Sequence, residues 1–177
     1  MNKRLEELLL GNRSAVAAGR AKPQPSDRRP TVAVLACTDE RLVTQTIFDL
    51  PPGKIYSVRM AGNVYTLEVA GSLELAVVRL HCPLIVVLGH TDCTAVGLAH
   101  SRRRIEGREY EITRKIRPAL EDVPPDAPLT VAVEANVRHT LRELRERDRL
   151  FRQRVEAGTL EIAGAICEIE TGKVRLL

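Results

Sequence analysis

Two short apolar runs, Thr31-Val32-Ala33-Val34-Leu35-Ala36 and Pro83-Leu84-Ile85-Val86-Val87-Leu88-Gly89, differ from the stretches around them, where apolar residues recur at helical spacing. Continuous runs that are rich in β-branched residues and too short for a helix predict strands buried on both faces of a parallel sheet. Further strands are predicted over 54–59 and 160–169, with a short terminal strand after the turn at Thr171-Gly172. Helical spacing predicts an amphipathic helix over residues 3 to about 20, with Leu5, Leu8, Leu9, Val16 and Ala17 near one stripe and Gly19 closing it. A short helix follows over about 41 to 49, and the turn Pro51-Pro52-Gly53 ends it. Residues 67–80 read as a largely buried helix, with Leu67, Ala70, Leu73, Ala76, Val77 and Leu80 on its inner face. A helix begins near Cys93 and another covers 108–120. A single long helix runs from Leu129 to about Glu156, with Val133, Val137, Leu141, Leu144 and Phe151 inward and Gly158 stopping it.

Strands alternating with helices at this rhythm predict βαβ units: an α/β fold with an open, mostly parallel β-sheet flanked by helices. Residues 1–177 read as one domain, divided into a helical arm (1–20), a Pro-rich linker (21–30) and an α/β core (31–177). Pro23, Pro25 and Pro30 stop the first helix from continuing. The linker frees that helix to lie away from its own core, on another subunit.

Composition narrows this picture. At 177 residues the chain is long enough for one domain burying roughly 70% of its unfolded surface. Aromatics make up 3%, so the core is aliphatic. The formal charge of +4 comes from arginine, and Arg-rich helical faces of this kind read as solvated surface. Arg102, Arg103, Arg104 and Arg138 come with no recognition motif and few stacking aromatics, so nucleic acid is not an expected partner. No stretch approaches the ~20 apolar residues of a membrane span. The amino terminus is interrupted by Glu6 and Glu7 and does not read as an export signal. Four cysteines in a chain too large to need disulfide staples then predict a reducing, cytoplasmic setting.

The chemistry lies just past the two apolar runs, in Cys37-Thr38-Asp39-Glu40-Arg41 and His90-Thr91-Asp92-Cys93. Both segments sit at carboxyl ends of predicted parallel strands, the edge where open α/β sheets bind ligands. Cys37, His90 and Cys93 form a soft ligand set suited to zinc. Three protein ligands leave one position open, as in a catalytic site. Cys93, at a helix start, is expected to have a lowered thiol pKa. Two thiolates neutralise the metal's formal charge, so activity is expected to rise toward alkaline pH. Asp39 has two roles open to it: ligating zinc as a fourth ligand in a closed state, or accepting a hydrogen bond from a zinc-bound hydroxide. Arg41 is placed to hold that carboxylate in a bidentate pair. Cys82 and Cys167 have no partner at metal-binding spacing and read as small buried hydrophobes. His81, His100 and His139 read as surface or packing residues.

At these residues the sequence resembles the β-class carbonic anhydrases over nearly its whole length. Cys37-x-Asp39-x-Arg41 and His90-x-x-Cys93 match that family's two zinc motifs in order and separation. Arg59-Met60-Ala61-Gly62-Asn63-Val64, Gly71-Ser72-Leu73-Glu74-Leu75-Ala76-Val77 and Ile162-Ala163-Gly164-Ala165-Ile166 are similar to its loop, helix and closing-strand segments. The resemblance implies a zinc lyase with one Zn2+ per chain, hydrating carbon dioxide reversibly to bicarbonate and a proton. In it Cys37, His90 and Cys93 bind the metal, Asp39 orients or displaces the hydroxide, and Arg41 holds Asp39. It also implies a homodimer, or a tetramer built from dimers, with the first helix embracing the partner. Gln24 and Gly62 are its weaker candidates for substrate contact. Thr94 follows Cys93 where the family typically has glycine. Two other functions fit the same residues: a hydrolase of carbon disulfide or carbonyl sulfide on this fold, and a non-catalytic zinc-stabilised scaffold closed by Asp39.

Overall fold

The computed structural model describes residues 2–21 and 29–177. Five strands, β1 (Val32–Ala36), β2 (Ile55–Arg59), β3 (Leu84–His90), β4 (Glu161–Cys167) and β5 (Val174–Leu176), form one sheet in the order β2-β1-β3-β4-β5. The first four are parallel and only β5 runs antiparallel, against β4. All five residues of β1 are buried, and β3 is buried continuously from Val87 to His90. Unbroken apolar runs are what strands covered on both faces require.

Seven helices accompany the sheet among the described residues: α1 (Lys3–Ala17), α2 (Thr44–Ile47), α3 (Leu67–Glu74), α4 (Thr94–His100), α5 (Glu109–Ile116), α6 (Leu129–Arg147) and α7 (Arg149–Glu156). The Asn2 side chain caps α1 by accepting from Arg4 N at 2.9 Å, and Gly19, at φ +65°, closes it. No residue of α1 is buried. Thr66 caps α3 through the Val69 amide, and the helix continues as a wider π turn over Leu75–Arg79. Leu67, expected to face inward, is 78% exposed. The buried stripe runs through Val69, Ala70, Leu73, Ala76 and Val77. At ~100° per residue Leu67 stands about 120° from its centre.

The long helix expected from Leu129 to Glu156 is two helices. Asp148 leaves helical geometry (φ −96°, ψ 107°) and its Oδ1 accepts from Phe151 N at 3.0 Å, capping α7. Leu144 and Phe151, on either side of the break, are both fully buried, so the apolar spacing runs through it. Helix α6 lies across β3 and β4, close enough that side chains would not fit beneath it. A Cβ added at Gly89 would meet Val137 Cγ2 at 2.5 Å, and one at Gly164 would meet Leu141 Cδ1 at 2.7 Å.

Candidate active site

Strand β1 has β2 on one side and β3 on the other, so the chain leaves its end in one direction and returns beside it from the other. That is a topological switch point, the crevice in which open α/β sheets bind ligands. The register Ala36↔Leu88 brings Cys37, the first residue past β1, and His90, the last of β3, to this edge together. Cys93 follows as the residue preceding α4. The Cys37 and Cys93 side chains and His90 are all buried, and their ligand atoms lie within 4.8 Å of one another. Among the described residues no other group of this kind occurs.

The donor set fits zinc. Two sulfurs bound tetrahedrally at ~2.3 Å stand about 3.8 Å apart; Cys37 Sγ and Cys93 Sγ are 3.9 Å apart. His90 Nδ1 lies 2.8 Å from the Thr91 carbonyl oxygen, which fixes the proton on Nδ1 and leaves Nε2 with its lone pair. Nε2 is buried and has no hydrogen-bond partner, as a nitrogen intended for a metal would be.

The two thiols form one hydrogen-bonded pair, and their pKa values move in opposite directions. A hydrogen bond from Cys93 is the main reason that the Cys37 thiol is lowered to about 3, and contacts from His90 and the Gly62 amide add to it against the opposing effect of burial. Cys93 is pushed up by that neighbouring charge and by burial. The amides at the start of α4, those of Val96 and Ala95, do pull Cys93 down, as its position predicts, but they are outweighed. Cys37 Sγ also accepts from Gly62 N at 3.3 Å.

Asp39 is turned toward Arg41. Arg41 Nε donates to Oδ1 at 2.9 Å, Nη2 to Oδ2 at 2.7 Å, and its backbone amide to Oδ1 at 3.1 Å. These bonds, the guanidinium's above all, hold the Asp39 carboxyl at about 2. Arg41 also reaches the second motif, donating to Asp92 Oδ2 at 3.0 Å, so one guanidinium ties both strand-end loops together. Arg59 adds a clamp from β2: Nε donates to the Cys37 carbonyl at 3.1 Å, and Nη2 to that of Asp39.

A cleft of roughly 300 Å³ opens beside Cys37 and Asp39. Its apolar wall comes from Ala61, Ala95, Leu98 and Ile112, and Thr94 and Glu109 border it. The polar groups of Gly62 are already engaged, its amide by Cys37 and its carbonyl by Asn136. Gln24 lies outside the described residues. Cys82 and Cys167 are buried apart from the group, and burial raises both thiols. His100 contacts the Ala127 carbonyl, His81 is exposed and His139 is half-buried on α6; none joins the metal group.

Arg59, Asp92 and Ile112 were not singled out from the sequence. For Arg59 a signal existed: it ends β2 opposite Ala36, at the edge where Cys37 ends β1. Ile112 carried none, because its element is joined to the cleft only by the fold.

Residues 32–174 match the family model for carbonic anhydrase. The chain is 31% identical over 172 residues to carbonic anhydrase 2 of Mycobacterium tuberculosis, covering 93% of this chain and 79% of that protein. It is 34% identical over 156 residues to a carbonic anhydrase of Mycolicibacterium smegmatis, covering 84% and 75%. In fold it is similar to a tetrameric β-carbonic anhydrase of Sordaria macrospora (TM-score 0.85, 21% identity, 99% and 98% of the two chains). A Coccomyxa β-carbonic anhydrase solved with acetazolamide is similar too (TM-score 0.84, 22% identity, 99% and 87%).

Proposed function

The chain belongs to the β-class carbonic anhydrases, and from that premise we propose which residues carry the zinc-dependent, reversible hydration of carbon dioxide to bicarbonate and a proton. Cys37, His90 and Cys93 hold the metal. The observation that carries this is the buried group of two sulfurs and an otherwise unpartnered His90 Nε2 at the switch point. When bound, zinc supplies Lewis acidity, which makes a nucleophile of water near neutral pH.

The remaining work falls to the chain's own side chains. Asp39 stays ionised well below neutral pH, so near neutrality it would accept a hydrogen bond from the water that zinc activates and orient that water toward the substrate carbon. Arg41 is a positioning residue: its bidentate grip engages both oxygens of Asp39, which stands outside the Cys37–His90–Cys93 group. This orientation supports the open state and speaks against a scaffold closed by Asp39. Ala61, Ala95, Leu98 and Ile112 offer a neutral, apolar gas a wall without competing hydrogen bonds. The bicarbonate leaves through the same cleft.

The protein acts as a homodimer. Helix α1 leaves Leu5, Leu8, Leu9, Leu10 and Val16 exposed and buries nothing in its own chain, which suits a helix that docks on a second copy. Among the described residues no helix is long and apolar enough to cross a membrane. The cysteines are all free thiols, which supports a reducing cytoplasm as the working compartment. The proposed parts are one α/β core, residues 31–177, carrying the site, and an arm, residues 1–20, carrying the dimer contact.

The test is stopped-flow carbon dioxide hydration from about pH 6.5 to about pH 9, bracketing the ~7 expected of zinc-activated water, with Cys37→Ser alongside. Activity should rise with pH and vanish in the variant together with bound zinc. A zinc-loaded protein that hydrates nothing at any pH would overturn the reading, and carbonyl sulfide and carbon disulfide would be tried next.

A further inference from the structure

Helix α6 buries two polar residues, Asn136 and Thr140, and of these Asn136 leaves a side-chain atom unpartnered. Asn136 is 1% exposed, on the face that carries Val133 and Val137 against the sheet, where an apolar side chain would be expected. Its Oδ1 has no hydrogen-bond partner, a cost that a residue serving only the core would not carry. Its Nδ2, by contrast, donates to the Gly62 carbonyl at 2.8 Å, across 74 residues of sequence.

Gly62 is the residue whose amide donates to Cys37 Sγ at 3.3 Å. It sits at φ +64°, ψ 18°, and a Cβ there would meet Ile116 Cδ1 at 2.7 Å, so a side chain is excluded both by conformation and by space. Glycine's own backbone preference is broad, so nothing within the residue fixes the direction of its N–H. The two hydrogen bonds belong to adjacent peptide units that share the Gly62 Cα. The Gly62–Asn63 unit is held by Asn136 at its carbonyl and by the Met60 carbonyl, 2.7 Å away, at its Asn63 amide, and this anchoring narrows where the amide of the other unit points.

We propose that Asn136 is a positioning residue for the metal centre: by holding the Gly62 carbonyl it aims the Gly62 amide at the Cys37 sulfur, and so sets the charge and orientation of that ligand. An amide donor draws charge from a thiolate, so the bond tempers how strongly Cys37 donates to a metal and how acidic the activated water becomes. Groups that orient and hydrogen-bond metal ligands govern affinity in this way. The inference rests on Cys37 being a zinc ligand.

The experiment compares wild type, Asn136→Leu, Asn136→Ala and Leu144→Ala as full chains. Leu144 is also on α6 and fully buried, but it has no hydrogen bond toward the site, so its loss reports general loosening of the helix. Zinc affinity is measured by chelator competition, and the sulfur-to-metal charge-transfer band is recorded with Co2+ in place of zinc. Both Asn136 variants should lose about 10–100-fold in zinc affinity. Their charge-transfer band should move to longer wavelength, because a thiolate relieved of a donor holds its electrons at higher energy. Leu144→Ala should melt earlier with affinity and band unchanged.

Affinity and band that stay at wild-type values in Asn136→Leu and Asn136→Ala would overturn the proposal, as would equal changes in Leu144→Ala. A wild-type chain that binds neither metal would instead break the ligand assignment itself. If Asn136→Leu does not fold, Asn136→Ala, which keeps the helix and adds no bulk, decides the matter.

Discussion

Helices α1 and α6 are both long and both carry apolar residues at helical spacing, yet one buries nothing in its own chain and the other buries seven residues. Helix α6 lies on two glycines of the sheet and reaches the Gly62 carbonyl, beside the Cys37–His90–Cys93 group, through Asn136. Helix α1 is held by its own cap at Asn2 and by Gly19, and its leucines face outward. An apolar stripe states that something must cover it; only the fold states what does. For α6 the cover is the sheet, and for α1 we assign it to a second copy of the chain.

The largest effect that sharpens this contrast comes from truncating one leucine on each helix. Leu144→Ala removes a fully buried side chain and should cost about 2–5 kcal/mol of folding stability, read by denaturant unfolding. Leu8, 71% exposed, makes no comparable contribution within its own chain. Leu8→Ala should leave the chain's fold intact and act on association, shifting the concentration dependence of unfolding that a dimer shows. A chain lacking residues 1–20 should run at the mass of one protomer in light scattering. If Leu8→Ala destabilised unfolding as much as Leu144→Ala at every protein concentration, α1 would be part of its own chain's core and the contrast would fail.

A smaller effect separates α6 from its continuation. Asp148 ends one helix and caps the next, and Asp148→Ala should cost about 1 kcal/mol, within the usual ~0.5–2 for a lost cap. Hydrogen exchange should locate the loosening in α7 rather than in α6. Burial, and after it the neighbouring Asp148, raise the Glu74 carboxyl. Part of the lost cap is therefore offset by relief at Glu74.

The same boundary shows what the sequence could and could not reveal. The apolar runs of β1 and β3 were legible because a strand buried on both faces leaves no polar position to confuse the pattern. The gathering of Cys37, His90 and Cys93 was legible because both runs end in chemistry and parallel pairing forces the two ends together. The break at Asp148 was not, because Leu144 and Phe151 keep one inward stripe on either side of it and a single capping aspartate resembles a solvated one. Leu67 was misplaced for a related reason, lying in the right segment but round the side of the helix from the stripe. Asn136 and Ile112 were beyond reach for a different reason. Neither has a local signal, and their relation to Cys37 exists only once α5 is packed on α4 and α6 is laid against the sheet.

The smallest effect in this contrast is electrostatic and sits on α6. His139 is half-buried, and burial lowers its pKa below the ordinary histidine value; Glu143, 4.0 Å from Nε2, and Glu121 oppose that shift, while Arg142 and Arg147 favour it. A histidine whose folded pKa lies below its unfolded value binds more protons unfolded, so stability rises with pH across the interval between the two. His139 therefore contributes nothing unfavourable above its ordinary value of ~6.5, and as the pH falls from there toward the folded value, folding weakens. Helix α1 has no histidine, so a shift in its docking on a partner over the same interval must have another origin. His139→Gln should flatten the part of the stability–pH curve just below ~6.5 while leaving the association constant of the dimer unmoved. If the slope persisted in the variant, the weakening would belong to another group and the pH response would not be a property of α6.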